Sequence, residues 1–340
     1  MNRQRVLRLA LWVLGLVLFL WVLRTVSLAE VWAVLSQLTL GAIVVLVAAN
    51  AVVLLAITAR WQLLLRGLGH HVPLLRLLEY RLAVFGLSYF TPGPHVGGEP
   101  LQVLLVEQAH DVPRTHALAA VTLDKAIEFI INFAMLLLGI SLVIRWQLLD
   151  QTLGWQAFGV GIILLLIPVV YLGAVVFGRR PAAGSLAALS RSSFLSRWSG
   201  SLNAASDAVE ISEAKVADFV RRAPGTMALA VGVTLFAWVV MIAEYWLMVY
   251  FLGVRLTLPE LVTTLTAARI AILLFIPAGL GMLELSQAMA FGALGLNPAV
   301  GASVSLLIRV RDTTLGAVGL WLGSRRLVPG RKQVTIDQSL

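Results

Sequence analysis

"YFTPGPHVGGEPLQVL", residues 89–104, crowds Pro92, Gly93, Pro94, His95, Gly97, Gly98, Glu99 and Pro100 into one short stretch. The surrounding chain is 59% hydrophobic and only 13% charged, against roughly 45–50% and 25% for a soluble domain. Non-helical backbone survives at membrane depth only where it is buried in protein or lines a wet cavity, because an unpaired backbone group in hydrocarbon costs several kcal/mol. Pro92 and Pro94 disfavour helix just before them, and the glycines add conformational freedom. The stretch therefore reads as the tip of a re-entrant hairpin. Glu99–Pro100 reads as an N-cap followed by a proline at the first helical position, which would aim backbone N–H groups into a cavity.

Working outward, full spans are expected at 6–23, 40–65, 116–145, 155–177, 224–251 and 298–323, each long enough for the ~20 residues that cross a bilayer. Arg3, Arg5 and Arg8 precede an apolar run to Leu23. Its length, about 18 residues, exceeds the ~7–15 of a signal-peptide core, so an uncleaved first span is expected. Segments 74–108 and 259–295 are too broken to cross simply. Residues 200–222 form an amphipathic stretch, with Leu202, Ala205, Val209, Val216 and Phe219 at helical spacing, expected to lie on the cytoplasmic surface. The expected division is 1–39, an N-terminal span and interfacial segment; 40–145, a first repeat with its hairpin at 74–108; 146–223, a connecting span and amphipathic segment; 224–323, a second repeat with its hairpin at 259–295; and 324–340, a basic tail.

Placing both termini in the cytoplasm puts nineteen of the 26 Lys and Arg on that side, Arg60 to Arg114 among them, with Arg24, Arg145 and Arg255 outside. That is a strong positive-inside bias. The net charge of +9 is thereby spent on orientation in a cell membrane and on anionic lipid, and no nucleic-acid partner is expected. The chain has no cysteine, which excludes disulfides, thiolate metal sites and a cysteine nucleophile. No metal-ligand, phosphate-loop or nucleophile-elbow pattern occurs, so neither metal, cofactor nor catalytic residue is expected. Gly319 and Gly323 suit close helix packing. His70 and His71 fall in a loop, and His110 and His116 flank a turn.

Sliding the chain by 185 residues places Trp61 on Trp246, Phe90 on Phe275, Pro92 on Pro277, Glu99 on Glu284, Pro113 on Pro298 and Ala117 on Ala302. "FTPGPHVGGE" thus has a counterpart, "FIPAGLGMLE", with Pro277, Gly279 and Gly281 at its tip. The expected fold is an all-α polytopic membrane protein of two inverted-topology repeats, each with a broken helical hairpin. Matching broken segments in inverted halves point to a transporter's substrate site.

Charges inside the spans locate that site. "LDKAIEF" carries Asp124, Lys125 and Glu128, and "IRVRDTT" carries Arg309, Arg311 and Asp312; Glu244 and Arg269 add one each. Three charges in one span would cost on the order of 7–10 kcal/mol if lipid-exposed, so they must face the bundle or water. Mutual pairing accounts for part of this, Asp312 with Arg309 or Arg311 and Lys125 with a carboxylate. The arginine fork suits phosphate, so Arg269, Arg309 and Arg311 are candidates for an anionic head group. Glu99, Asp124, Glu128 and Glu284 are candidates for cationic groups or protons.

"PGPHVGGEPLQVLLVEQAHDVPRTHALAAVTLDKAIEF" resembles the signature of the lysylphosphatidylglycerol-synthase transmembrane, flippase-like family. Pro92, Gly97, Gly98 and Glu99 match its hairpin, and Asp124, Lys125 and Glu128 its charged triplet. Pro277, Gly281, Glu284 and Arg309 match its second half. The resemblance spans roughly 10–325 and implies an integral membrane domain that moves lipids between leaflets. Only "SRRLVPGRKQVTIDQSL" follows Gly323, so the aminoacyl-transferase activity of some relatives is not expected. The triplet here is Asp-Lys…Glu, where Glu-Arg…Asp is the family's commoner form, and lysine lacks the bidentate fork. The function expected is a translocator of phospholipid or polyisoprenoid-linked lipid, anionic or phosphate-bearing. The alternative is a membrane enzyme or accessory subunit acting on lipid head groups, in which case 178–223 would dock a membrane-enzyme partner.

Overall fold

The computed structural model describes residues 32–33, 35–90, 98–148, 151–191, 199–273 and 281–327, and these are all-α. Eleven helices follow in order: α1 Leu40–Gly67, α2 Leu74–Phe90, α3 Glu99–His110, α4 Arg114–Arg145, α5 Gln151–Val176, α6 Pro181–Ser190, α7 Ser199–Arg222, α8 Pro224–Phe251, α9 Leu258–Leu273, α10 Met282–Ala293 and α11 Pro298–Leu327. The expected span 6–23 lies outside the described residues. So do the hairpin-tip residues Pro92, Gly93, Pro94, His95, Gly97, Pro277 and Gly279.

Local chemistry sets these bounds. The Thr39 hydroxyl accepts from the Ala42 N–H and opens α1. Pro181, Pro224 and Pro298 open α6, α8 and α11, where a missing N–H costs nothing. Asp111, in the left-handed region at φ 51°, ends α3, and Pro113 then caps α4.

α1, α4, α5 and α8 are long and apolar enough to cross a membrane. Their Val47, Val160, Ile163, Ile167 and Val239 are exposed, as side chains in lipid should be. This is a multi-pass membrane protein. α11, at 30 residues, is nearly as long as α4, and its Arg309, Arg311 and Asp312 point inward.

Shifted by 185 residues, α1 to α4 fall at 225–252, 259–275, 284–295 and 299–330, within a few residues of α8 to α11. α1 and α8 pack against each other antiparallel: Asn50 donates to Glu244 at 3.4 Å, and ten residues further on Arg60 donates to Thr234 at 3.2 Å. α2 runs antiparallel along α11, with Tyr89 beside Thr313 at one end and Leu82 and Ala83 against Gly319 at the other. α9 meets α4 where Thr266 presses on Gly139.

Outside this core, α7 lays Phe219 over Gly67 and joins α6 through the Glu213 carboxylate, which accepts from the Ala182 and Ala183 N–H groups. Residues 200–222 are thus an amphipathic helix, packed on α4 and α5.

At Gly319 an added Cβ would run into the backbone carbonyl of Leu82, which cannot move aside as a side-chain tip can. Gly319→Ala is therefore expected to cost ~1–3 kcal/mol, read as a lower thermal midpoint of the purified protein. Gly159→Ala, with nothing within 4 Å of the new methyl, should leave the midpoint unchanged or raise it. Equal behaviour of the two variants would refute the α2–α11 contact.

Candidate functional site

Twelve charged side chains meet inside the helical bundle, in two groups of three cations and three carboxylates. In the first, Arg60 on α1 donates from Nε to Asp124 at 2.7 Å and from Nη2 to Glu128 at 3.2 Å. Arg81 on α2 holds the other Asp124 oxygen at 2.9 Å. Lys125 lies 3.4 Å from Glu128 and 3.5 Å from Glu99. Arg60 and Asp124 are essentially unexposed, at 1% and 0%.

In the second group, Arg309 grips Glu284 with both arms of its fork, at 2.5 and 3.0 Å. Arg311 bridges Glu244 at 2.8 Å and Asp312 at 2.9 Å. Arg269 differs. No carboxylate among the described residues lies within ion-pair distance of it, and its guanidinium sits 4.6 Å over the Trp238 ring and 3.5 Å from the Met241 sulfur.

Between the groups lies a cavity of about 410 Å³. Arg60, Arg81, Lys125, Arg269, Arg309 and Arg311 line it, against three carboxylates, Glu99, Glu128 and Asp312. Asp124, Glu244 and Glu284 do not line it; they stand behind the cations, 0–3% exposed. The neutralising charge is thus recessed and the cavity wall is predominantly cationic. Ile57, Phe85, Trp238 and Ile272 supply apolar wall beside it. Such a surface suits a ligand with an anionic end and a hydrocarbon end.

Seven expected site residues, Glu99, Lys125, Glu128, Arg269, Arg309, Arg311 and Asp312, come together on the cavity wall; Glu244 and Glu284 are buried partners of Arg311 and Arg309, and Asp124 is buried against Arg60 and Arg81. The pairings anticipated for Asp312 and Lys125 are present. The cap of α3 differs from expectation: Gly98 is the N-cap and Glu99 stands in the first turn, without a side-chain cap. Glu99 reaches Lys125 instead. Gly98 admits no side chain, since a Cβ would lie 2.6 Å from both the Ser88 hydroxyl and a Val84 methyl. Gly281 caps α10 at φ 77°, which favours glycine.

Arg60 and Arg81 are buried against Asp124, so neither counts as an aqueous charge, and the nineteen Lys and Arg expected on the cytoplasmic side become seventeen. The signal was available, since Arg60 falls inside the apolar run 40–65. Gln102 and Gln287 were also missed, although they too coincide under the 185-residue shift. Away from the cavity, His70 Nε2 contacts His116 Nδ1 at 2.6 Å, and burial lowers the His70 pKa from its usual 6.5.

Fold and site together define a class: a polytopic α-helical membrane protein with a charged cavity inside its bundle. Residues 6–319 match the family described as lysylphosphatidylglycerol synthase TM region, and the chain belongs to that family. It is also 28% identical over 290 residues to a UPF0104 membrane protein of Pyrococcus horikoshii, covering 79% of this chain and 83% of that one. No solved structure matches the chain significantly.

Glu284 and Arg309 form a bidentate pair. Glu284→Leu or Arg309→Met alone strands a buried charge and is expected to cost about 3–5 kcal/mol. The double variant should recover most of that loss in a thermal-unfolding cycle. Additive losses would refute the pairing.

Proposed function

We propose that this protein is a lipid translocator that moves a phosphate-bearing lipid between leaflets of the cell membrane. The observation that carries the reading is the cationic cavity, lined from both halves of the chain: Arg60, Arg81 and Lys125 from one, Arg269, Arg309 and Arg311 from the other. An anionic head group moves along these cations while its acyl chains stay in lipid. The recessed carboxylates lower the net field, so the head group is not trapped. Membership of a family named for lysylphosphatidylglycerol synthase supports a lipid as the substrate.

Duplication with inversion is part of the same reading. It is supported by the matching bounds of α1–α4 and α8–α11, and by the antiparallel packing of α1 on its counterpart α8. In this arrangement the first hairpin opens toward the cytoplasm, where both termini lie, and the second opens outside. Alternating access follows from rocking one half against the other. A head-group enzyme would gather its carboxylates near one interface instead of pairing them with cations around a shared cavity.

Reconstituted in vesicles, the protein should accelerate dithionite-detected flipping of labelled phosphatidylglycerol or phosphatidic acid over labelled diacylglycerol. Arg269→Gln strands no carboxylate, so it should slow flipping at least tenfold at unchanged thermal stability. Wild-type rates equal to protein-free vesicles would overturn the assignment. For the topology, the cysteine-free chain permits single cysteines at His95 and Leu280. Position 95 should react with an impermeant maleimide only from the cytoplasmic face, and position 280 only from outside. Labelling of both from one face would contradict the inversion.

A further inference from the structure

Among the described residues, three buried side-chain atoms lack a hydrogen-bond partner: Trp61 Nε1, Arg81 Nε and Gln102 Nε2. All three are donors, and all belong to α1–α3. Two of them belong to residues on the cavity wall, and buried donors without a partner there point to an acceptor that the wall is built to receive. A buried donor that nothing ever satisfies is costly to keep.

Arg81 and Gln102 both line the cavity. Gln102 is 3% exposed. The two stand on α2 and α3, which touch each other. Gly98 sits against Val84 and Ser88, and Arg81 and Gln102 stand about one turn further from the tip on their respective arms. The twelve-residue α3 begins at Gly98 with no side chain capping its first N–H groups, and Pro100 contributes none. Lys125 lies 3.5 Å from Glu99.

In the second half the equivalent groups are paired. Gln287, the counterpart of Gln102, donates to the Thr264 carbonyl at 3.0 Å and accepts from Tyr245 at 2.5 Å. Glu284, the counterpart of Glu99, is clamped by the Arg309 fork.

We infer that the root of the first hairpin, formed by Arg81, Gln102, Lys125 and the uncapped start of α3, is the seat of a phosphate oxyanion, whereas the equivalent root of the second half is closed by its own side chains. This rests on the translocator reading and places its substrate's charged end in one half of the cavity. One phosphate oxygen accepts from Arg81 Nε and Gln102 Nε2; another faces Lys125 and the α3 N–H groups.

The test uses the purified full chain, with binding read as the rise in thermal midpoint. The probes are dihexanoyl phosphatidic acid, inorganic phosphate and uncharged dihexanoylglycerol. Wild type should respond to the phosphatidic acid and not to the glyceride. A response to inorganic phosphate at equal concentration would show a seat for free anion as well as lipid. Gln102→Leu and Arg81→Lys should each weaken the phosphatidic acid response about tenfold or more. Gln102→Glu, which keeps the shape and adds repulsion, should abolish it and stands in if the leucine variant does not fold. Full binding by Q102E and R81K, with loss in R269Q, would overturn this seat while leaving the translocator reading intact. No response of wild type to either phosphate probe would overturn both.

Discussion

The rest of the structure depends on neutralising charge in an apolar solvent. A membrane offers no water to six cations and six carboxylates, so each must find a partner on another element or face a wet cavity. The partners are distant in sequence: Arg60 meets Asp124, Arg81 meets the same carboxylate, Glu99 meets Lys125, Glu244 meets Arg311 and Glu284 meets Arg309. These contacts stitch α1, α2, α3, α4, α8, α10 and α11 around one volume. Hydrophobic burial cannot do this inside a bilayer, where a side chain leaving lipid for protein gains little. Close backbone packing supplies the rest, with Gly319 on Leu82 and Gly139 against Thr266.

The two halves carry the same parts in different states. Each places a glutamate in the first turn of its hairpin's second arm and a base about 25 residues later to meet it. In the second half the pair is bidentate and Glu284 is 2% exposed; in the first Lys125 lies 3.5 Å from Glu99, which is 22% exposed. The asymmetry arises because arginine can chelate a carboxylate and lysine cannot.

Much of the architecture was readable from pattern. The span expected at 224–251 coincides with α8, and the segments 74–108 and 259–295, too broken to cross simply, hold not one long helix each but α2 with most of α3, and α9 with α10. Composition and apolar run length carry that information because the bilayer dictates both. The charge-by-side count erred at Arg60 and Arg81. Positive-inside counting treats an arginine near a span end as aqueous, and nothing in one sequence says that a single acid, Asp124, 64 residues from Arg60 and 43 from Arg81, will draw both inward. Glu99 illustrates the same limit locally, since the cap fell on Gly98 once packing against Val84 and Ser88 left no room for a side chain there.

The sequence by itself determined that this is a helical membrane protein, where its long helices run, and that its charges inside the spans must converge. Hydrophobicity and backbone chemistry are local quantities and can be read residue by residue. Only the tertiary structure decided which charge pairs with which, that Asp124, Glu244 and Glu284 recede while six cations line the cavity, and that Gln102 and Arg81 keep unmatched donors whereas Gln287 does not. Those outcomes depend on ångström-scale distances between helices that meet across long separations in the chain, and ion pairing is decided by such distances.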